Sequence, residues 1–154
     1  MAESSRFVYV TYIRTTPKQL WQALIDPEFT RQYWGQTWQE SDWRPGSSWR
    51  LMIPDGRIGD QGKILEFEPE RRLVLTWRNE FKSDLREEGE SQLTYELEPQ
   101  GDSVKLTLIH EMNKPGSKLI DAVSTGWPMI LSSLKSLLET GESIEETRRW
   151  PEGV

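Results

Sequence analysis

The chain has 154 residues, 29% of them charged, and a formal net charge of −6. That length fits one domain with a sizeable core, and an acidic chain with no basic block lacks the positive surface that nucleic-acid binding requires. The absence of cysteine excludes disulfides, thiol catalysis and thiolate metal sites.

Phe7 to Arg14 is rich in β-branched and aromatic residues and reads as a first strand. Thr16 is a good N-cap, Pro17 suits the first helical position, and Gln19 would complete a capping box. Leu20, Trp21, Leu24 and Ile25 then form one apolar helical face. Asp26-Pro27 restarts a second short helix by the same logic, and Gly35 is its natural stop.

A meander of strands follows: Gln36 to Trp43, Ser48 to Ile53, Gln61 to Glu68, Leu73 to Arg78, Ser91 to Glu98 and Val104 to Glu111. Pro45-Gly46, Pro54-Asp55-Gly56, Pro69-Glu70-Arg71 and Gln100-Gly101-Asp102 are turn signals between them. The polar segment Asn79 to Glu90 is expected to be a long solvated loop. From Leu119 to Leu138, apolar residues recur every three or four positions, the mark of a helix with one buried stripe. Pro128 is expected to kink or break it, because proline lacks an N–H and crowds the preceding turn. Gly141 is its expected end. The domain is thus assigned to residues 1–141, followed by a loose charged tail, 142–154, from which Trp150 could dock.

This order predicts an α+β fold: a curved antiparallel sheet wrapped around a long C-terminal helix, with two short helices after the first strand. Such a clasp leaves a cavity. No apolar run approaches the ~18 residues of a membrane span, and no basic-then-apolar leader opens the chain. The expectation is a cytoplasmic protein.

Alternation along the strands gives candidate cavity residues. Leu93, Tyr95 and Leu97 share a face, as do Leu73, Leu75 and Trp77, and Val104, Leu106, Leu108 and His110. Trp38, Trp49, Trp77, Tyr95 and Trp127 form an aromatic set able to stack on a flat ligand or simply to pack a core. Leu131 and Leu134 face them from the helix. Gly62, Ile64 and Glu66 lie on one face of their strand, Leu65 and Phe67 on the other, and either face could turn inward. An inward Glu66 needs a partner or a raised pKa. It could orient a ligand hydroxyl, act as acid or base, or bridge to Arg50 or Arg78. His110 is the only histidine. It reads either as a general base or as a strand-end histidine hydrogen-bonded for structure. No metal site is expected, since neither His-x-x-x-His nor clustered carboxylate spacing occurs. No Gly-x-Ser-x-Gly elbow and no phosphate loop is present, and no cofactor is expected.

Ile13 to Trp21 with Asp26-Pro27 and Tyr33-Trp34-Gly35, then Arg44-Pro45-Gly46 with Trp49-Arg50, Gly62 to Pro69 with Arg72 to Trp77, Leu106 to Glu111, and Gly126-Trp127 to Glu139-Thr140-Gly141 together resemble one known family. It is the family similar to the C-terminal domain of the activator of the heat-shock chaperone (90 kDa) ATPase, within the START/polyketide-cyclase/pollen-allergen superfamily. The resemblance spans about residues 7–141. It implies the helix-grip fold and an apolar cavity between sheet and long helix, without implying a single function. The chain resembles a stand-alone version without the extra N-terminal domain of the eukaryotic co-chaperones. Pro128 beside Gly126-Trp127 and the stretch Met112 to Thr125 depart from the family pattern at the cavity mouth.

Three functions are therefore carried forward. The first is binding of a small hydrophobic molecule, aromatic or lipid-like, by Trp38, Trp49, Glu66, Trp77, Leu93, Tyr95, Leu108, His110, Trp127, Leu131 and Leu134, without catalysis. The second is a co-chaperone-like interaction module tied to stress response, with a chaperone as partner. The third is a cyclase- or aromatase-like enzyme using Glu66 and His110. A homodimer is compatible with each.

Overall fold

The computed structural model describes residues 4–151. Strand β1 (Ser5–Ile13) leads into helices α1 (Pro17–Ile25) and α2 (Pro27–Tyr33). Strands β2 (Trp38–Ser41), β3 (Ser48–Met52), β4 (Ile58–Glu68) and β5 (Arg72–Asn79) follow, then a one-turn helix α3 (Ser83–Arg86). Strands β6 (Ser91–Gln100) and β7 (Ser103–Met112) precede the long helix α4 (Lys118–Thr140). All seven strands form one antiparallel sheet in the order β1-β7-β6-β5-β4-β3-β2. The first strand thus pairs with the last, and α4 packs back against that end of the sheet. This is the expected α+β helix-grip architecture.

Local chemistry sets the element ends. Thr16 Oγ1 accepts from Gln19 N at 3.2 Å, capping α1. The return half of the capping box does not form: Gln19 Oε1 accepts from the Thr15 hydroxyl at 3.0 Å instead. Asp26 serves both helices, its N–H closing α1 on Gln22 O and its carboxylate accepting from Glu28 N. Gly141 ends α4 at φ +87°, where an L side chain would be strained.

Three expectations about elements change. First, α4 runs unbroken for 23 residues through Pro128. Leu119, Ile120, Trp127, Leu131 and Leu134 bury one stripe on both sides of the proline, and that burial outweighs one missing hydrogen bond. Second, the segment 79–90 is not merely solvated. It carries α3, whose Leu85 is buried, and its Glu88 caps α4. The carboxylate accepts from Ser117 Oγ at 2.6 Å, Lys118 N at 2.8 Å and Leu119 N at 3.2 Å, the helix N-terminus being electropositive. Third, residues 142–151 return to the body rather than trailing loose. Ser133, fully buried on α4, bonds the Thr147 hydroxyl and accepts from Ile144 N. Gly35 N donates to Thr147 O at 2.6 Å. The last part of the expected tail, 152–154, lies outside the described residues.

Strands β4 and β5 approach closely at Gly62. Gln61 pairs with Arg78 and Ile64 with Leu75, but between them Lys63 N donates to the Thr76 hydroxyl. A Cβ on Gly62 would sit 1.9 Å from Thr76 O, so only glycine allows this approach.

Candidate functional site

The inner face of the sheet and α4 enclose an aromatic cluster. Trp49 and Trp77 rings lie 4.9 Å apart, Trp34 and Trp77 6.0 Å, Trp34 and Trp127 5.1 Å, and Trp77 and Trp127 5.8 Å. Tyr95 meets the Trp127 ring edge-on. Beneath them Leu93, Leu108, Leu131 and Leu134 are buried core residues. They and Trp49 pack against the cluster without lining open space.

His110 is fully buried. Trp127 Nε1–H donates to His110 Nδ1 at 3.1 Å, and Ser91 Oγ lies 2.8 Å from Nε2. An indole N–H can only donate, so Nδ1 carries the lone pair and Nε2 the proton. Nε2–H then donates to Ser91 Oγ, whose own proton goes to Trp77 O at 2.8 Å. Burial pushes the imidazole pKa down to about 3, and a second proton on Nδ1 would face the indole N–H. His110 thus links α4 to the sheet through Trp127, with both ring nitrogens engaged in hydrogen bonds.

Glu66 lies outside the clasp. A bulge sets Ile64 opposite Leu75 but Glu66 opposite Val74, so Leu65 is the extra residue and alternation reverses. Phe67 then turns in, edge-on to Trp21. Glu66 turns out, half exposed, with Arg72 Nε at 3.3 Å. Glu66 and His110 therefore do not face a common space. Trp38 is also outside. On β2 it is Gln39 that points in, accepting from Trp49 Nε1 and donating to Leu24 O. Trp38 lies on the outer side beneath the Arg31 guanidinium, its Nε1 on Glu40.

One cavity of about 170 Å³ remains between α4 and the sheet. Trp34, Trp77, Trp127 and Leu51 wall its inner side, and Leu85 of α3 closes one edge. From α4 come Leu119, Ala122, Val123, Gly126 and Ile130, and Trp150 of the returning segment completes the rim. A Cβ on Gly126 would meet nothing within 4 Å. Two polar side chains reach the cavity, Asp60 and Asn79, both buried. Asn79 Nδ2 donates to Asp60 Oδ1 at 3.2 Å, and Asn79 Oδ1 accepts from Lys82 N. Burial raises the Asp60 pKa to about 7; bonding from Trp77 and Asn79 works against the rise, and the Glu80 charge adds to it. The buried Trp77 Nε1–H has no hydrogen-bond partner of ordinary geometry, yet it opposes the rise at Asp60 more than Asn79 does. A depression of about 460 Å³ beside the start of α4 has a mixed polar and apolar lining, including Arg6, Phe7, Lys118, Ile120 and Asp121.

Of the residues put forward from sequence, Trp77 and Trp127 line this cavity. Asp60, Asn79, Trp34, Leu85 and Gly126 do so without having been singled out. Asp60 is legible in principle: it shares parity with Gly62 and Ile64, but the expected strand starts at Gln61 and the observed one at Ile58, three residues earlier. Among the described residues no group of three or more His, Asp or Glu gathers as a metal site, and no helix is long and apolar enough to cross a membrane.

The sequence profile of the family described as Activator of Hsp90 ATPase homolog 1-like protein matches residues 14–139. The chain belongs to that family. No curated protein matches it in sequence. Among solved structures, protein MLL2253 from Mesorhizobium loti superposes with a TM-score of 0.74 at 20% identity, over 88% of this chain and 97% of that one. CalU16 from Micromonospora echinospora gives 0.71 at 23% identity, over 90% and 78%. The Aha1 dimer from Colwellia psychrerythraea gives 0.70 at 16% identity, over 90% and 99%. At these identities the likeness is one of fold.

Proposed function

We propose that this family member binds a small apolar molecule, one ring in size, in the cavity between α4 and the sheet. The observation that carries this reading is the ~170 Å³ space walled by Trp34, Trp77 and Trp127 and left open above Gly126. An apolar cavity of about 150 Å³ takes up benzene, whereas pockets for drug-sized ligands start near ~300 Å³. Of the two classes expected, the aromatic one suits the volume and a lipid chain does not. The reading is non-catalytic, since Glu66 and His110 offer no acid-base pair across the cavity.

A thermal-shift series with one-ring aromatic and short-chain acyl compounds tests it. A ligand at 100 times its Kd adds about 2.7 kcal/mol of apparent stability. A saturable rise with one-ring compounds supports the reading, and a flat response across the panel refutes it. An interaction module is the second reading. It has in its favour Val8, Val10 and Tyr12, about half exposed on the outer face of edge strand β1, an apolar stripe that a second copy would cover. Sedimentation of the protein as a monomer at high micromolar concentration would remove it. A chaperone partner and a cytoplasmic location remain proposals carried by the family name.

A further inference from the structure

The cavity holds a feature that an apolar pocket does not need. Asp60 is 4% exposed yet lines the space, and among the described residues Asn79 is the other amide or acid side chain that does. A buried carboxyl costs stability unless something compensates it. Among the described residues no lysine or arginine lines the cavity to do so. The nearest charge acting on Asp60 is negative, that of Glu80, which is itself held by Arg78 and Arg86. Trp34, Trp77 and Trp127 line the space with indole rings, whose negative faces attract cations more strongly than those of other aromatic side chains. A carboxylate and tryptophan rings around one small space are complementary to an organic ammonium ion.

Resting on the pocket reading above, we propose that the ligand is a small primary amine bound as its ammonium ion. Its N–H groups donate to the Asp60 carboxylate, and its apolar part lies among Trp34, Trp77 and Trp127. Asn79 holds Asp60 in place through Oδ1. The carbonyl of Asn79 already accepts from Lys82 N, so Asp60, with the charge, is the stronger acceptor the cavity offers. The chemistry selects against carboxylates and phosphates, since an anion would meet Asp60 without a counter-charge.

The test uses benzylamine, benzyl alcohol and toluene, which share one ring and differ in charge and donors, titrated calorimetrically into the whole protein at pH 8. Benzylamine is expected to bind at least about tenfold more tightly than benzyl alcohol, the ratio a single desolvated charge contact gives. In Asp60→Asn that ratio is expected to fall to near one. Equal or stronger binding of benzyl alcohol or toluene to the natural protein would overturn the ammonium proposal and leave the apolar pocket standing. Binding of none of the three would overturn both. The comparison of probes on the unmodified protein does not depend on the folding of the variant.

Discussion

Asp60→Asn should make the protein more stable, and by an amount that depends on pH. Burial moves the carboxyl pKa from 3.8 to about 7. Between those values the folded protein keeps a proton that the unfolded chain has released, so stability falls as pH rises through that window. At about 1.4 kcal/mol per pH unit, the cost to the native state above pH 7 is about 4 kcal/mol, and water entering the cavity reduces it to about 2–4 kcal/mol. Asparagine removes this cost and still offers Asn79 a carbonyl acceptor. His110 contributes the opposite slope. Its pKa is lowered to about 3, so between about 3 and 6.5 the unfolded chain binds the extra proton and stability rises with pH. In the natural protein the two slopes oppose each other between pH 4 and pH 6.5; in Asp60→Asn the histidine slope stands alone. Urea denaturation at pH 4 and pH 8 reads both effects. The variant is expected to match the natural protein near pH 4 and to gain about 1–2 M in midpoint at pH 8, for a urea slope of about 2 kcal/mol per M. A variant that is no more stable at pH 8 would refute the account of Asp60 as an uncompensated buried acid.

Gly126→Leu should fill the cavity and abolish small-molecule binding while leaving thermal stability equal or higher, since glycine costs a helix about 1 kcal/mol; retained binding at full affinity would contradict the placement of the site. Gly62→Ala should destabilise by more than about 3 kcal/mol, because its Cβ would fall 1.9 Å from Thr76 O and the β4–β5 ladder would have to open; a midpoint within experimental error of the parent would count against that close approach. Glu88→Gln should cost about 1–3 kcal/mol by removing the charge from three hydrogen bonds at the start of α4, and hydrogen exchange should quicken at Lys118 and Leu119. Burial works to raise the Glu88 pKa, but the bonds from Ser117, Lys118 and Leu119, with Lys114, hold it below the ordinary value. Its contribution is therefore present at neutral pH and is lost as pH falls through the folded pKa, a loss that Glu88→Gln should not show. His110→Leu strands the Trp127 N–H and should cost about 1–3 kcal/mol, and a variant as stable as the parent would argue against the pinning role.

The architecture was legible because each of its signals is local. Thr16-Pro17 and Asp26-Pro27 fix two helix starts, Gly101-Asp102 fixes a hairpin, and the three-four spacing after Leu119 fixes the long helix. The inward faces of β5, β6 and β7 followed from alternation, since those strands pair without a shift. Alternation failed where pairing does shift. The bulge at Leu65 reversed the face of Glu66, and nothing in the residues Ile64-Leu65-Glu66 announces it. Trp38 misled because size was taken for burial, whereas the smaller Gln39 satisfies both Trp49 and Leu24. The sequence of the tail shows mainly its charges, and Glu142, Glu145, Glu146, Arg148 and Arg149 are exposed; contacts that dock it come from Thr147 and from the backbone. The candidate cavity was half legible. Its tryptophans stand out in any reading, but Asp60, the carboxyl of the proposed ligand contact, lies near a strand start, where boundaries are hardest to place.

The most direct test of the pocket follows the indole N–H resonances of the eight tryptophans by heteronuclear NMR during titration with benzylamine. Saturable shifts of Trp34, Trp77, Trp127 and Trp150, with Trp38 and Trp43 unmoved, are the result expected for a ligand between α4 and the sheet. Shifts confined to Trp38 and Trp43, or no shift at any tryptophan up to millimolar ligand, would contradict it.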